Sequence, residues 1–260
     1  MLLLIPFFAL LGLFVGSFLN VCIDRLPREQ SIIRPRSHCD NCNKELRVFD
    51  NIPIISYLFL RGRCRYCRTR IPVRALIVEA VMGLFFGLLF WKFGLGLELG
   101  ISYVYTSLLI LIFVIDLENQ LVLDKITYPG MVIALVFSFF FPGLEGMTMV
   151  SWEALSKVLS SLAGGVLGLS AMALPYILTR HRGIGFGDVK LGALVGLMSG
   201  FPLVFITIFL SWIIGGVVAV ALLALKIKKM KDSIPSATFM AIGAMVTMLW
   251  GQAIWQWYLW

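Results

Sequence analysis

Apolar runs with little or no charge recur along the whole chain, separated by short polar stretches. Residues 1–20 carry no charged side chain, and further runs fall at 75–91, 99–115, 126–142, 155–179, 189–201, 203–225 and 234–257. Crossing a hydrocarbon core of ~30 Å takes about 20 mostly apolar residues as helix. The 35 uncharged residues between Lys190 and Lys226 would make a helix of roughly 52 Å, too long for one upright crossing. Ser199-Gly200-Phe201-Pro202 supplies a turn within that stretch. The pattern predicts an all-α polytopic membrane protein with about eight transmembrane helices. The first run lacks the basic start and small-residue cleavage site of a removed leader, so it reads as a retained anchor. The one sizeable polar insert lies between the first and second runs. The expected organisation is therefore a first span over 1–22, an insert over 23–74 and a membrane domain of about seven helices over 75–260.

Composition agrees. Of 260 residues, 60% are hydrophobic and 14% charged, with a mean hydropathy of +0.93. A soluble enzyme has about 25% charged residues, and disorder needs low hydrophobicity with high net charge. Both classes are excluded. The net charge of +8 matters less than its placement. Twelve Lys/Arg fall in 24–74, and Lys125, Arg180, Arg182, Lys190, Lys226, Lys228, Lys229 and Lys231 share that side in an eight-span topology. Only Lys92 and Lys157 fall on the other. The positive-inside rule places the insert in the cytoplasm and both termini outside. The basic residues thus read as topology signals, and no nucleic-acid-binding motif accompanies them.

The insert holds four of the five cysteines, as Cys39-x-x-Cys42 and Cys64-x-x-Cys67 with 21 residues between the pairs. Two such knuckles supply the four thiolates of a closed, tetrahedral structural zinc site. A reducing compartment argues against disulfides, and Arg36, Arg63, Arg65 and Arg68 favour the thiolate forms. About 50 residues bury little core and gain from such a staple. Four reduced, unliganded cysteines or a redox pair are the competing readings. His38, beside Cys39, is a substitute ligand that a four-cysteine set does not need. Cys22, at the end of the first run, reads as a packing residue.

Two acids at membrane edges stand out, because ionisable groups there are costly and point to function. Asp116 directly follows the 99–115 run. Asp188 ends Gly183-Ile184-Gly185-Phe186-Gly187-Asp188, before a run too short to start at the membrane surface. By topology both face the same side. If they meet, they share a proton: the ionised member takes a proton from water, which attacks a peptide carbonyl, and the protonated member donates to it. Glycines at 185 and 187 would let backbone or substrate approach closely. As structural alternatives, Asp116 caps a helix or pairs with a basic residue, and Asp188 caps the helix that follows it. Asp124 competes with Asp116, although an N-cap role at the start of the fourth run explains it more simply. With two histidines, no HExxH and no GxSxG, a serine triad or zincin is excluded, and no Walker A or dinucleotide fingerprint occurs.

Together these residues resemble the bacterial prepilin peptidases, GxGD membrane aspartyl proteases of type IV pilus, type II secretion and competence systems. The likeness runs through Gly16-Ser17-Phe18-Leu19-Asn20-Val21, Arg25-Leu26-Pro27 and Ser37-His38-Cys39-Asp40-Asn41-Cys42. It continues through Asp50-Asn51-Ile52-Pro53-Ile54-Ile55-Ser56-Tyr57, Gly62-Arg63-Cys64-Arg65-Tyr66-Cys67 and Val78-Glu79. Ile115-Asp116, Leu123-Asp124 and Gly185-Phe186-Gly187-Asp188-Val189-Lys190 complete it. The resemblance implies that Asp116 and Asp188 are the catalytic pair, supported by Gly185, Gly187 and Lys190. It implies that the cysteine segment is a cytoplasmic zinc-binding domain. Its members remove the basic leader of prepilin and pseudopilin precursors at the cytoplasmic membrane face of bacteria. Many also N-methylate the new N-terminus with S-adenosylmethionine. Glu79 is then either the partner of Arg74 or part of a methyltransferase site.

Two departures accompany the likeness. Where the family often shows a Pro-Phe-Gly-Pro-like string, this chain reads Ile234-Pro235-Ser236-Ala237-Thr238-Phe239, and the stretch from Pro142 to Glu153 is longer than expected. Two other classes are the alternatives. A GxGD intramembrane protease of another substrate class would lack the four-cysteine insert. A non-enzymatic zinc-bearing scaffold or transporter component would tolerate amidation of both aspartates, and no internal repeat of the transporter kind is visible.

Overall fold

A computed structural model describes residues 2–140, 151–179, 185–229 and 235–259. Among the described residues there are nine α-helices: α1 (Ile5–Arg25), the short α2 (Ile55–Phe59), α3 (Val73–Phe93), α4 (Leu97–Asn119), α5 (Asp124–Ser138), α6 (Ser151–Leu178), α7 (Phe186–Ser199), α8 (Leu203–Ala224) and α9 (Ser236–Leu259). No strand forms among the described residues beyond two isolated bridges, His38 with Glu45 and Arg63 with Arg70. This is the expected all-α polytopic membrane fold. The polar insert, with its four cysteines, lies between α1 and α3.

The span count differs from expectation. Among the described residues, six helices are long and apolar enough to cross a membrane: α1 with the turn before it, α3, α4, α6, α8 and α9. The other two expected spans, α5 and α7, have 15 and 14 residues. At 1.5 Å per residue they reach about 22 Å, short of the ~30 Å core. α7 ends where Gly200 adopts φ +68, a left-handed helix stop that suits glycine. The Pro142–Glu153 stretch falls mainly outside the described residues, with its last three positions in the first turn of α6.

The chain divides into two compact units, Met1–Ser107 and Leu108–Trp260. In the first, α1 and α3 pair. Phe8 stacks on Phe90 with ring centroids 4.3 Å apart, Phe86 stacks on Tyr103 at 3.9 Å, and Asn20 donates from Nδ2 to the Ala75 carbonyl at 3.0 Å.

In the second unit, α7 is the buried element: Leu191, Leu194 and Val195 are all 2% exposed or less. A helix only about 21 Å long is shielded from lipid by its neighbours α5, α6 and α9. It approaches α6 backbone to backbone through Gly164 and Gly168 on α6 and Gly192 and Gly196 on α7. A Cβ at Gly168 would lie 2.1 Å from the Gly192 carbonyl oxygen, and one at Gly164 2.4 Å from that of Gly196. Such small-x-x-x-small faces let membrane helices pack where no hydrophobic force drives them together.

Candidate functional site

Two sites of different chemistry emerge, one in each unit. In the first, the cysteines sit in two loops built alike. The Cys39 N–H donates to Lys44 O and the Asn43 N–H to Cys39 O; likewise the Cys64 N–H donates to Thr69 O and the Arg68 N–H to Cys64 O. Asn43 and Arg68 occupy equivalent positions, one residue after the second cysteine, and both have positive φ (52° and 60°). The turn curls each Cys-x-x-Cys so that both sulfurs face one point. All four Sγ atoms lie within 4.8 Å of one another, and Cys39 Sγ is 3.7 Å from Cys67 Sγ. A tetrahedral thiolate site with bonds of about 2.3 Å spaces its sulfurs at roughly 3.8 Å, whereas a disulfide needs about 2.05 Å. The four cysteines are free thiols in an arrangement that can hold a metal ion. Hydrogen bonding at Thr69 pulls the Cys67 thiol down to about 5, whereas at Cys42 the Lys44 backbone bond is outweighed by desolvation and the other three cysteines, which push that thiol up to about 11. His38 stays outside the cluster, with Nδ1 3.1 Å from the Arg36 carbonyl oxygen.

Between this loop region and the α1–α3 pair lies a cavity of about 410 Å3. Glu79, Asn20, Ser17 and Asp24 help line it. The expected Glu79–Arg74 pair is not what forms. Arg74 bridges to Asp24 at 2.6 Å, while Glu79 Oε2 accepts the Ile54 N–H at 2.8 Å and the Ser17 hydroxyl. Ile54 itself has φ +59, an outlying conformation for a β-branched residue, and the next amide closes a tight turn back to Pro53 O. The Glu79 carboxylate thus anchors a strained corner of the insert. Asn20 Oδ1 is buried without a hydrogen-bond donor.

The second site lies in the second unit. Asp116, in the last turn of α4, and Asp188, in the first turn of α7, are 4% and 7% exposed. Asp188 Oδ2 accepts the Gly185 N–H at 3.2 Å, and its own N–H returns to Gly185 O at 3.1 Å, closing the start of α7. Gly185, not Asp188, is therefore the N-cap of α7, and Asp188, third in the helix, returns its carboxylate to that N-cap's N–H. The first turn of α9 reaches both acids. Asp116 Oδ2 accepts from the Thr238 N–H at 2.7 Å and from Thr238 Oγ1 at 3.0 Å, and the Ala237 N–H also donates to Asp116. The Ser236 side chain lies close enough to Asp188 to interact with its carboxylate, where the charge of Asp116 is also felt. The first turn of α9, with donors at 236, 237 and 238, thus reaches both buried carboxylates. A buried pair of this kind can share one proton and act as base and acid together.

The supporting residues separate by role. Gly187 lies against the linker before α5: a Cβ there would meet Val122 Cβ at 2.8 Å. Gly185 has room, with Asp188 Oδ2 the nearest atom at 3.7 Å, and its contribution is the backbone N–H. Lys190 pairs with Asp124 at 2.6 Å and lies over the rings of Phe186 and Tyr128. Asp124 is consequently not the expected N-cap. Leu123 occupies that position, without a side-chain cap bond, and Asp124 is the first helical residue, drawn to Lys190 instead. Ser236, Ala237 and Thr238 were not anticipated as site residues. The available signal was Pro235-Ser236 opening an apolar run, a helix-start signature that places free N–H donors at that point.

Comparison with known proteins follows the same two units. Residues 10–93 match the bacterial peptidase A24 N-terminal domain, and residues 103–220 match the type IV leader peptidase family. Among curated proteins, the chain is 32% identical to the prepilin leader peptidase/N-methyltransferase of Pseudomonas putida, over 94% of this chain and 90% of that protein. It is 33% identical to the protein of that name in Neisseria gonorrhoeae, over 84% and 82%. The Bacillus subtilis protein is 32% identical over 95% of both. No solved structure matches the chain.

Proposed function

The chain belongs to the type IV leader peptidase family, and from that premise we propose that it removes the leader from prepilin and pseudopilin precursors with Asp116 and Asp188 as its catalytic pair. One observation carries the assignment of residues: the first turn of α9, residues 236–238, reaches both buried acids. The ionised carboxylate takes a proton from water as that water attacks the scissile carbonyl. Its partner gives a proton to the carbonyl oxygen. Collapse of the tetrahedral species then breaks the C–N bond, and the amine leaves with the proton held at the pair. Gly185 N–H holds Asp188 in place, and Lys190–Asp124 ties the start of α7 to the start of α5.

The C-terminal end of α4 and the N-terminal ends of α5, α7 and α9 share these contacts, with Lys125 and Lys190 beside them. The positive-inside rule makes this the cytoplasmic face of a bacterial inner membrane, where a precursor's leader emerges from its lipid-embedded helix. Zinc suits the four thiolates in number, type and spacing, holding residues 23–74 as a cytoplasmic binding domain that Cys39, Cys42, Cys64 and Cys67 staple. The cavity beside it suits S-adenosylmethionine, which supplies a methyl group to the new N-terminal amine. Its buried Asn20 Oδ1 lacks a donor and would accept one from that ligand's amino groups, and Glu79 keeps the wall in place through Ile54.

The test is incubation of purified protein in detergent with a full-length prepilin, followed by mass spectrometry. Loss of the leader is expected, with a further ~14 Da when S-adenosylmethionine is present. An intact precursor at all enzyme concentrations would contradict the proposal.

A further inference from the structure

The first turn of α9 is the one part of the acid site that no catalytic role has absorbed, and it is where this chain departs from the family string. We propose that Thr238 and Ser236 are positioning residues of the carboxylate pair, with Thr238 fixing Asp116 and Ser236 fixing Asp188. This rests on the peptidase reading of that pair.

Thr238 places two donors on one oxygen of Asp116, its N–H at 2.7 Å and its hydroxyl at 3.0 Å. Carboxylate rotation is otherwise soft, so two bonds to one oxygen set the plane of the group. The Thr238 hydroxyl also lies 3.4 Å from the Phe113 carbonyl oxygen on α4. Having one proton, it bonds Asp116 while that group is ionised, and it has a second acceptor when Asp116 takes up a proton. The hydroxyl follows the charge without being left unsatisfied. Ser236 lies beside Asp188, whose Oδ2 also accepts the Gly185 N–H at 3.2 Å. Thr238 is 4% exposed and the intervening Ala237 is fully buried, so water does not replace these donors freely. The start of a helix adds its unpaired N–H groups and positive dipole end beneath a negative site.

Thr238→Val keeps the shape and N–H and deletes only the hydroxyl, while Thr238→Ser restores it. Prepilin cleavage by both, by Ser236→Ala and by Asp116→Asn separates the possibilities. The expected result is a roughly tenfold or greater fall in kcat for Thr238→Val, as for losing a hydrogen bond to a charged group. KM stays unchanged, and Thr238→Ser recovers most of the rate. Wild-type kcat in Thr238→Val, or an equal loss in Thr238→Ser, overturns the inference. Should Thr238→Val not accumulate as folded protein, Ser236→Ala decides: a severalfold fall in kcat at unchanged KM supports it, and an unchanged kcat overturns it. Full activity in Asp116→Asn would instead remove the peptidase reading itself.

Discussion

The backbone-to-backbone approach of α6 and α7 makes a sharp prediction for Gly168→Ala. A Cβ at Gly168 would fall 2.1 Å from the Gly192 carbonyl oxygen and 3.0 Å from its carbon. Both are backbone atoms that no rotamer change can move. An ordinary contact of a little over 3 Å requires α6 and α7 to separate by about 1 Å, since close-packed interiors have no slack to absorb it. Overpacking of this kind costs about 1–3 kcal/mol, against at most about 1 kcal/mol gained by replacing glycine within a helix. The net expectation is a destabilisation of about 1–2 kcal/mol. The larger effect is functional, because α7 carries Asp188. A displacement of about 1 Å at a reacting group can cost on the order of a hundredfold in rate. The assay is kcat/KM for prepilin cleavage, with thermal unfolding measured on the same preparation. Gly216→Ala is the matched control: it lies within α8 with nothing within 4 Å of its Cβ position, and should leave the rate unchanged. Cleavage by Gly168→Ala within twofold of Gly216→Ala would refute the coupling of this glycine face to the acid site.

Other consequences are more local. Gly187→Ala, whose Cβ would meet Val122 at 2.8 Å, should reduce cleavage strongly, while Gly185→Ala, with open space, should cost severalfold or less; reversal of that order in a rate comparison would sink the packing argument. Asp124→Asn breaks only a half-exposed ion pair with Lys190, worth about 0–1 kcal/mol, so activity should stay within a few-fold of wild type, and inactivity would make Asp124 rather than Asp116 the second acid. Cys64→Ser, or a strong chelator, should lower the unfolding temperature and abolish stoichiometric zinc measured by elemental analysis; unchanged stability in both would remove the structural-metal role.

How legible this was in the sequence varied with the range of the interaction responsible. Cys39, Cys42, Cys64 and Cys67 were visible because knuckle geometry is local, fixed by loops of about six residues. The apolar runs were visible because the lipid imposes their length. The same reasoning overcounted full-length spans at α5 and α7, since a helix shielded by α6 and α9 need not match the bilayer and hydropathy reports burial in protein and in lipid alike. Asp124 reads as a cap in the sequence because its partner, Lys190, is 66 residues away. Of the two readings of Glu79, the pair with Arg74 does not form, because a loop amide at Ile54, 25 residues away, takes its carboxylate. Thr238 lies 122 residues from Asp116, and no sequence spacing announces such a pair. Its hydroxyl became meaningful only once α9 brought its first turn to the acids.

The central claim is that Asp116 and Asp188 together cut the leader, and the most direct measurement is cleavage of a full-length prepilin by wild type, Asp116→Asn and Asp188→Asn, with the products weighed by mass spectrometry. Amides keep the size and most hydrogen bonds of the carboxylates and cannot serve as base and acid in turn. Leader loss with wild type and an intact precursor with each folded variant is the predicted outcome. Release of the leader by either variant at the wild-type rate would contradict it.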